Sequence, residues 1–339
     1  MRKILYVGNK LSKHGNTATS IETLGAFLEK ENYALIYASD KKSKSLRLID
    51  MVITTIKNRK CVFVVLIDVY STTNFWYALL ISQLCRFLKL PYIAKLHGGN
   101  LPYRLENNPK FCDLIFNFSK YNVAPSMYLF HLFEKKYPRN TEYIANTFDL
   151  SIYKFLTREK VEPKILWVRS LSKIYNPEMA IRSVFLLKNK YPDIYLTMVG
   201  PDKENLLENC KKLASTLEVK VIFNGKLENK DWISLSSNYS VFINTSNFDN
   251  TPVSLIEAMA LGLPLVTTDV GGIPYLVSNN QTALLVKENN VVEMATAIDS
   301  LLSDKSLRLK LTKNAREKVE SFDWEIVKNK WQVILQSIQ

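Results

Sequence analysis

Short apolar runs alternate along almost the whole chain with longer segments whose apolar positions recur at helical spacing. In the first half the runs predict strands at Ile4–Gly8, Ala34–Ala38, Val62–Ile67, Tyr92–Leu96, Leu114–Asn117 and Tyr143–Ala145. In the second they predict strands at Ile165–Val168, Tyr195–Val199, Val219–Phe223, Val241–Asn244, Leu265–Thr267 and Ala283–Val286. Strand and helix signals in strict alternation imply an α/β fold with mainly parallel sheets. The two halves carry similar series of βα units, so the pattern predicts two Rossmann-like domains facing one another across a cleft. A length of 339 residues is more than one core usually needs and suits two. The charged, Pro-containing stretch from Asn146 to Pro163 predicts a boundary, with one domain at residues 1–155 and the other at 156–321. A last helix at Trp324–Ile338 carries apolar residues at Trp324, Val327, Trp331, Val333, Ile334 and Leu335. No fixed-period repeat or low-complexity tract interrupts this order.

The most informative stretch is 244–277, which reads as the end of a buried strand, a polar loop, a helix, a second strand and a Gly-Gly turn. Thr251 can cap the helix and Pro252 suits its first position, where a missing N–H costs nothing. Leu255, Ile256, Met259 and Ala260 form its apolar face, and Gly262 with Pro264 ends it. Asp249 falls in the loop before this helix, and Glu257 about a turn and a half inside it. A helix N-terminus offers free N–H groups and partial positive charge to a diphosphate. Asn250, Thr251 and Pro252 would line that mouth, and the two acids would accept hydrogen bonds from flanking sugar and ribose hydroxyls. The plainer alternative is an ordinary αβ unit with two incidental acids. Spacing, cap and Gly-Gly turn together favour the site.

These residues resemble the carboxylate signature of retaining glycosyltransferases, glycosyltransferase family 4 (glycosyl transferases group 1, GT-B fold). The shared pattern is an acid, seven residues and Glu, followed by Ala-Met-Ala and a strand led by Gly-Leu-Pro. The resemblance implies that Asp249, standing where Glu is commoner, contacts the transferred sugar, and that Glu257 holds the ribose. It implies that His97, in His97-Gly98-Gly99-Asn100, lies beside the donor sugar as a polarising group. Gly98 and Gly99 would let a ligand approach the backbone. Arg169 matches the family's cation for the leaving diphosphate, whereas Ile174 occupies the usual Lys position and Lys173 comes one residue early. Gly200 and Gly225 fall in loops that approach phosphates and base. Gly15 keeps one of two adjacent glycines of the loop after the first strand, and Asn16 replaces the other. The last helix is expected to cross back onto the first domain.

No Asp-x-Asp occurs in the chain, so no metal and no cofactor are expected, and the nucleotide sugar is a substrate. The implied reaction is transfer with retention, the acceptor hydroxyl attacking from the face that the nucleotide leaves. The expected function is transfer of a hexose-type sugar to a glycan or lipid-linked glycan in cell-surface polysaccharide biosynthesis. Two other readings stay open: a sugar-nucleotide epimerase or hydrolase of the same shape, and a non-catalytic nucleotide-sugar-binding subunit. Tyr275, where the family often has Glu, favours the last of these.

Charge adds a second partner. Residues 1–155 hold 22 Lys and Arg against 11 Asp and Glu, and the remainder 23 against 21, within a net charge of +13. Lys41, Lys42, Lys44, Arg47, Lys57, Arg59 and Lys60 flank Leu46, Ile49, Val52, Ile53 and Ile56 on one helix. Met127, Tyr128, Phe130, Leu132 and Phe133, with Lys135, Lys136 and Arg139, form a second basic and apolar stretch. Either helix alone could simply pack on its sheet. Together with the asymmetry they predict an anionic membrane surface as a partner, although an acidic glycan would produce the same bias. No nucleic-acid motif accompanies the charge. The loop Asn9–Thr17 does not match Gly-x-Gly-x-x-Gly, which argues against a nicotinamide cofactor. Four scattered cysteines without pairing or metal spacing suit a reduced, cytoplasmic protein, and the basic first domain would set it peripherally on the inner face of the plasma membrane. The short run Ile4–Val7 reads as a first strand, not a secretory core.

Overall fold

The computed structural model describes residues 2–14, 19–98 and 100–338. Gly15, Asn16 and Gly99, three of the expected site residues, lie outside the described residues. The chain divides into two compact units, Met1–Phe148 with Phe322–Gln339, and Asp149–Ser321.

The first unit runs β1 (Lys3–Val7), α1 (Ser20–Lys30), β2 (Ala34–Ala38), α2 (Lys44–Asn58), β3 (Val64–Val69), α3 (Asn74–Phe87), β4 (Tyr92–Leu96), α4 (Leu101–Asn107), α5 (Pro109–Phe116), β5 (Tyr121–Ala124), α6 (Met127–Lys136) and β6 (Thr141–Tyr143). Its strands form one parallel sheet in the order β2-β1-β3-β4-β5-β6. Strand order reverses between β1 and β3, which makes their carboxyl ends the place where such sheets bind ligands. Apolar runs such as Val64–Ile67 are buried on both faces, as helices on both sides of a parallel sheet require.

The strand expected at Leu114–Asn117 is a correction. That stretch closes α5, with Ile115 and Phe116 buried, and the strand follows at Tyr121–Ala124. A short apolar run carries no period of its own, and Pro109 at the start of α5 was the signal that decides for helix.

The second unit runs β7 (Lys164–Val168), α7 (Pro177–Leu187), β8 (Tyr195–Val199), α8 (Leu207–Thr216), β9 (Lys220–Gly225), α9 (Asn229–Ser236), β10 (Val241–Asn244), α10 (Val253–Ala260), β11 (Leu265–Thr268), α11 (Ile273–Leu276), β12 (Leu284–Val286), α12 (Val291–Ser303) and α13 (Lys305–Glu320). Its parallel sheet has the order β12-β11-β10-β7-β8-β9, so order reverses between β7 and β10. Trp167, Leu196, Val241, Ile243 and Val266 lie at the centre of its core.

The last helix, α14 (Trp324–Gln336), packs within the first unit. Trp324 stacks on Phe27 at 4.9 Å and its indole N–H donates to Glu31 at 3.1 Å. Val327, Trp331, Ile334 and Leu335 are buried, and the Arg2 guanidinium donates to the Leu335 carbonyl. Val333, placed by the sequence pattern on the apolar face, is 66% exposed.

Candidate functional site

The reversal in the second sheet brings two loops together. Arg169 directly follows β7, and Asp249 lies between β10 and α10, so adjacent strands deliver a cation and an acid to one point. The Arg169 guanidinium is ion-paired with the Asp249 carboxylate and lies over the Tyr175 ring, 4.7 Å from its centroid. Asp249 also accepts the Asn250 backbone N–H at 2.9 Å. Burial pushes the Asp249 carboxyl above its ordinary value, and Arg169 and that N–H pull against the shift.

The loop is held from behind by the turn after β11. Gly271 has φ +56°, and a Cβ there would stand 2.2 Å from the Asp249 carbonyl oxygen. A Cβ on Gly272 would stand 2.1 Å from the Asn250 carbonyl oxygen, and the Gly272 N–H donates to the Asp249 carbonyl at 2.8 Å. The Gly-Gly pair is therefore needed because backbone meets backbone, which leaves no room for any side chain.

The start of α10 differs by one residue from expectation. Pro252, at ψ 115°, is the capping residue and Val253 opens the helix, while Thr251 makes no capping bond. The Thr251 hydroxyl is instead buried without a partner. So are the Ser254 hydroxyl and Nε of Arg169. Among the described residues only five buried side-chain polar atoms lack a partner, and three of them belong to this segment and its arginine. Buried polar atoms are nearly always satisfied, so a cluster of exceptions marks a place where a polar ligand completes the bonding.

Glu257 sits on α10 and is only 6% exposed. Its carboxylate accepts the Tyr153 hydroxyl and the Asn229 amide N–H, each at 2.8 Å. Burial pushes its carboxyl up, and these two donors oppose the shift. Tyr153 and Asn229 were not legible as site residues, since each comes from a distant part of the chain. Gly200 and Gly225 line a cavity of 300 Å³ with Trp167, Phe223 and Asn224. At Gly200 (φ +147°) a Cβ would collide with the Arg169 carbonyl oxygen at 1.9 Å. That glycine thus serves the packing of the Arg169 loop. Lys173 stands exposed on a 3-10 turn, while its backbone N–H and the Ser172 hydroxyl hold Glu204.

His97 and Gly98 belong to the first unit, in a cluster of their own. Nε2 of His97 is 2.8 Å from the Asp68 carboxylate, and Tyr70 stacks on the imidazole at 4.6 Å. The Tyr6 hydroxyl also donates to Asp68, at 3.1 Å, while the other Asp68 oxygen is buried without a partner. Burial, then the Lys95 charge, lowers the His97 pKa, so the imidazole is neutral near pH 7. A neutral ring donating Nε2–H to Asp68 keeps Nδ1 as an acceptor. Lys95 is buried too and donates to the Ser20 hydroxyl at 2.5 Å and to Asn146 at 3.1 Å. Asp68 and Lys95 went unread in the sequence, although a charge inside an apolar parallel strand is itself a signal.

A family model described as glycosyl transferases group 1 matches residues 152–318. An uncharacterized glycosyltransferase of Haemophilus influenzae is 31% identical over 151 residues, covering 44% of this chain and 42% of the relative. An N,N'-diacetylbacillosaminyl-diphospho-undecaprenol alpha-1,3-N-acetylgalactosaminyltransferase of Campylobacter jejuni is 29% identical over 168 residues, covering 50% of this chain and 41% of the relative. The aligned stretches thus span less than half the length of these curated relatives. Anabaena HepE, solved in complex with UDP, superposes with a TM-score of 0.82 at 16% identity, covering 99% of this chain and 100% of that one. The same protein solved with UDP-glucose gives a TM-score of 0.78 at 17% identity, covering 99% and 100%. The fold is therefore GT-B, and residues 152–318 of this chain match the glycosyl transferases group 1 family model.

Proposed function

We propose that this protein is a retaining glycosyltransferase that moves a hexose-type sugar from a nucleotide-sugar donor to a glycan or lipid-linked glycan in cell-surface polysaccharide biosynthesis. The observation that carries the reading is the group of unpartnered buried donors, Arg169 Nε, Thr251 Oγ1 and Ser254 Oγ, at the N-terminus of α10. Hydroxyls, a guanidinium N–H and a helix end match the oxygens of a diphosphate. Glu257, held by Tyr153 and Asn229, would accept from ribose hydroxyls. Asp249 orients Arg169 and offers its carboxylate to the sugar. His97, held by Asp68, carries the polarising role that the family resemblance implies.

In the reaction the acceptor oxygen bonds to the anomeric carbon as the bond from that carbon to the diphosphate breaks. The electron pair leaves on the diphosphate, where Arg169 and the α10 terminus stabilise it, and a donor phosphate oxygen takes the acceptor's proton. UDP and UDP-glucose in the HepE complexes make a UDP-sugar the first donor to test. The diphospho-undecaprenol named for the Campylobacter relative supports a lipid-linked acceptor, and with it a place on the cytoplasmic side of the membrane.

The test incubates the chain with a panel of sugar nucleotides, with and without glycan and lipid-linked acceptors, and reads products by mass spectrometry. Acceptor-dependent nucleotide release is expected, and Asp249→Ala and Glu257→Ala should each lose transfer while staying folded. Thr251→Val removes an orphaned hydroxyl, so it should leave thermal stability unchanged or raised while weakening donor binding about tenfold. Full activity in both acid variants with unchanged donor affinity would refute the site. Release independent of acceptor would point to a hydrolase.

A further inference from the structure

The first sheet carries α2, α3 and α5 side by side on one face, α2 packing on α3 and α3 on α5. Right-handed crossovers require this, because every connection from β2 onward moves the same way across the sheet. The outer surface of this layer is unusually apolar. On α2, Leu46, Ile49, Ile53 and Ile56 recur at helical spacing, and all four are exposed, Leu46 at 57%. On α3, Trp76, Leu80 and Phe87 lie outward, Phe87 at 84%. On α5, Phe111 and Leu114 continue the surface. Exposed patches spanning three adjacent helices are rare on a chain with nothing to bind.

Cations rim the apolar surface. Lys57 and Lys60 lie one turn beyond Ile53 and Ile56, and Lys110 lies one turn before Leu114. Arg86 stacks over Phe118 at 3.5 Å. Residues 41–120 hold 13 Lys and Arg against four Asp and Glu. Of those acids Asp68 is buried, Asp113 on α5 is 3.5 Å from Lys136, Glu106 lies on α4, and Asp50 is the one acid on α2. The second basic stretch of the sequence behaves otherwise. On α6, Leu129 and Phe133 are buried, and Tyr128, Phe130 and Leu132 pack against the core.

We propose that the outer face of α2, α3 and α5 is a docking surface for a bilayer containing anionic phospholipid, its aliphatic and aromatic side chains entering the interface and its rim cations meeting the headgroups. A second copy fits less well, since a self-complementary contact would set this basic rim against itself. The face belongs to the first unit and the residues proposed for the donor to the second, so either reading can fail alone.

The purified full chain would be floated with vesicles of phosphatidylcholine alone and with added phosphatidylglycerol, at low and high salt. Binding should require the anionic lipid and weaken with salt, and Ile49→Glu with Ile53→Glu should lower it about tenfold or more. Val292→Glu, exposed in the second unit, should bind as the unaltered chain does. Trp76 is the exposed one of five tryptophans, so brominated lipid chains should quench a fluorescence component that Trp76→Phe removes. The proposal is overturned if the folded chain ignores anionic vesicles, or binds them equally after the α2 substitutions. It is also overturned if the chain sediments as a dimer that those substitutions dissociate.

Discussion

At the residue scale, the informative groups are polar atoms placed where water cannot satisfy them. Lys95 on β4 is the clearest case in the first unit. Burial lowers its pKa from 10.5 to about 8, and Asp68 only partly opposes that shift. The unfolded chain therefore holds this proton over a range where the folded chain has released it. With more protons bound in the unfolded state, stability must rise as pH rises from about 8 toward 10.5, and below that window the slope vanishes. Denaturation midpoints of the unaltered chain and of Lys95→Met should diverge in this window in favour of the former. Parallel curves would mean that Lys95 titrates normally. Asp249 and Glu257 were readable as candidates in the sequence because their spacing from a helix start is local. Asp68, Tyr153 and Asn229 were not, because each acquires its meaning from a partner 28 to 104 residues away.

At the element scale, the turn after β11 sets the geometry of the acid loop. A methyl group at Gly272 would meet the Asn250 carbonyl oxygen at 2.1 Å, so the loop carrying Asp249 must shift or the turn must open. Gly272→Ala should therefore cost a few kcal/mol, within the upper range for single substitutions, and should also weaken nucleotide-sugar binding. Calorimetry and donor titration on the same variant read both effects. Normal values for both would show that the turn and the acid loop are uncoupled. The helix α10 was legible in type and length, and its start differed by one residue because Pro252 takes an extended ψ. The missed strand near residue 121 has a similar cause, since Tyr121–Ala124 is four residues long and offers no alternation to read.

At the scale of the whole molecule, the last residues of the chain complete the first unit. Trp324, Val327, Trp331, Ile334 and Leu335 are buried there, and each apolar side chain removed from water contributes roughly 2 kcal/mol before entropy is counted. Removing 322–339 should therefore lower or abolish the melting transition of the first unit. The transition of the second unit, and its response to nucleotide diphosphate, should persist. Saturating donor at about 100 times its Kd would stabilise that second transition by about 2.7 kcal/mol. A truncated chain whose two transitions both survive unchanged would show that α14 contributes nothing to the first unit.

The sequence by itself determined the α/β class, the series of βα units and the local geometry of residues 244–277, because apolar periodicity, caps and Gly-Gly turns act over a few residues. Only tertiary structure decided which strands neighbour one another. From that followed the pairing of Arg169 with Asp249 at a point where strand order reverses, and the buried set of Asp68, Lys95 and His97. Which basic helix keeps its apolar residues in water was also settled there. Periodicity states that a helix has an apolar face, and packing states whether anything covers it.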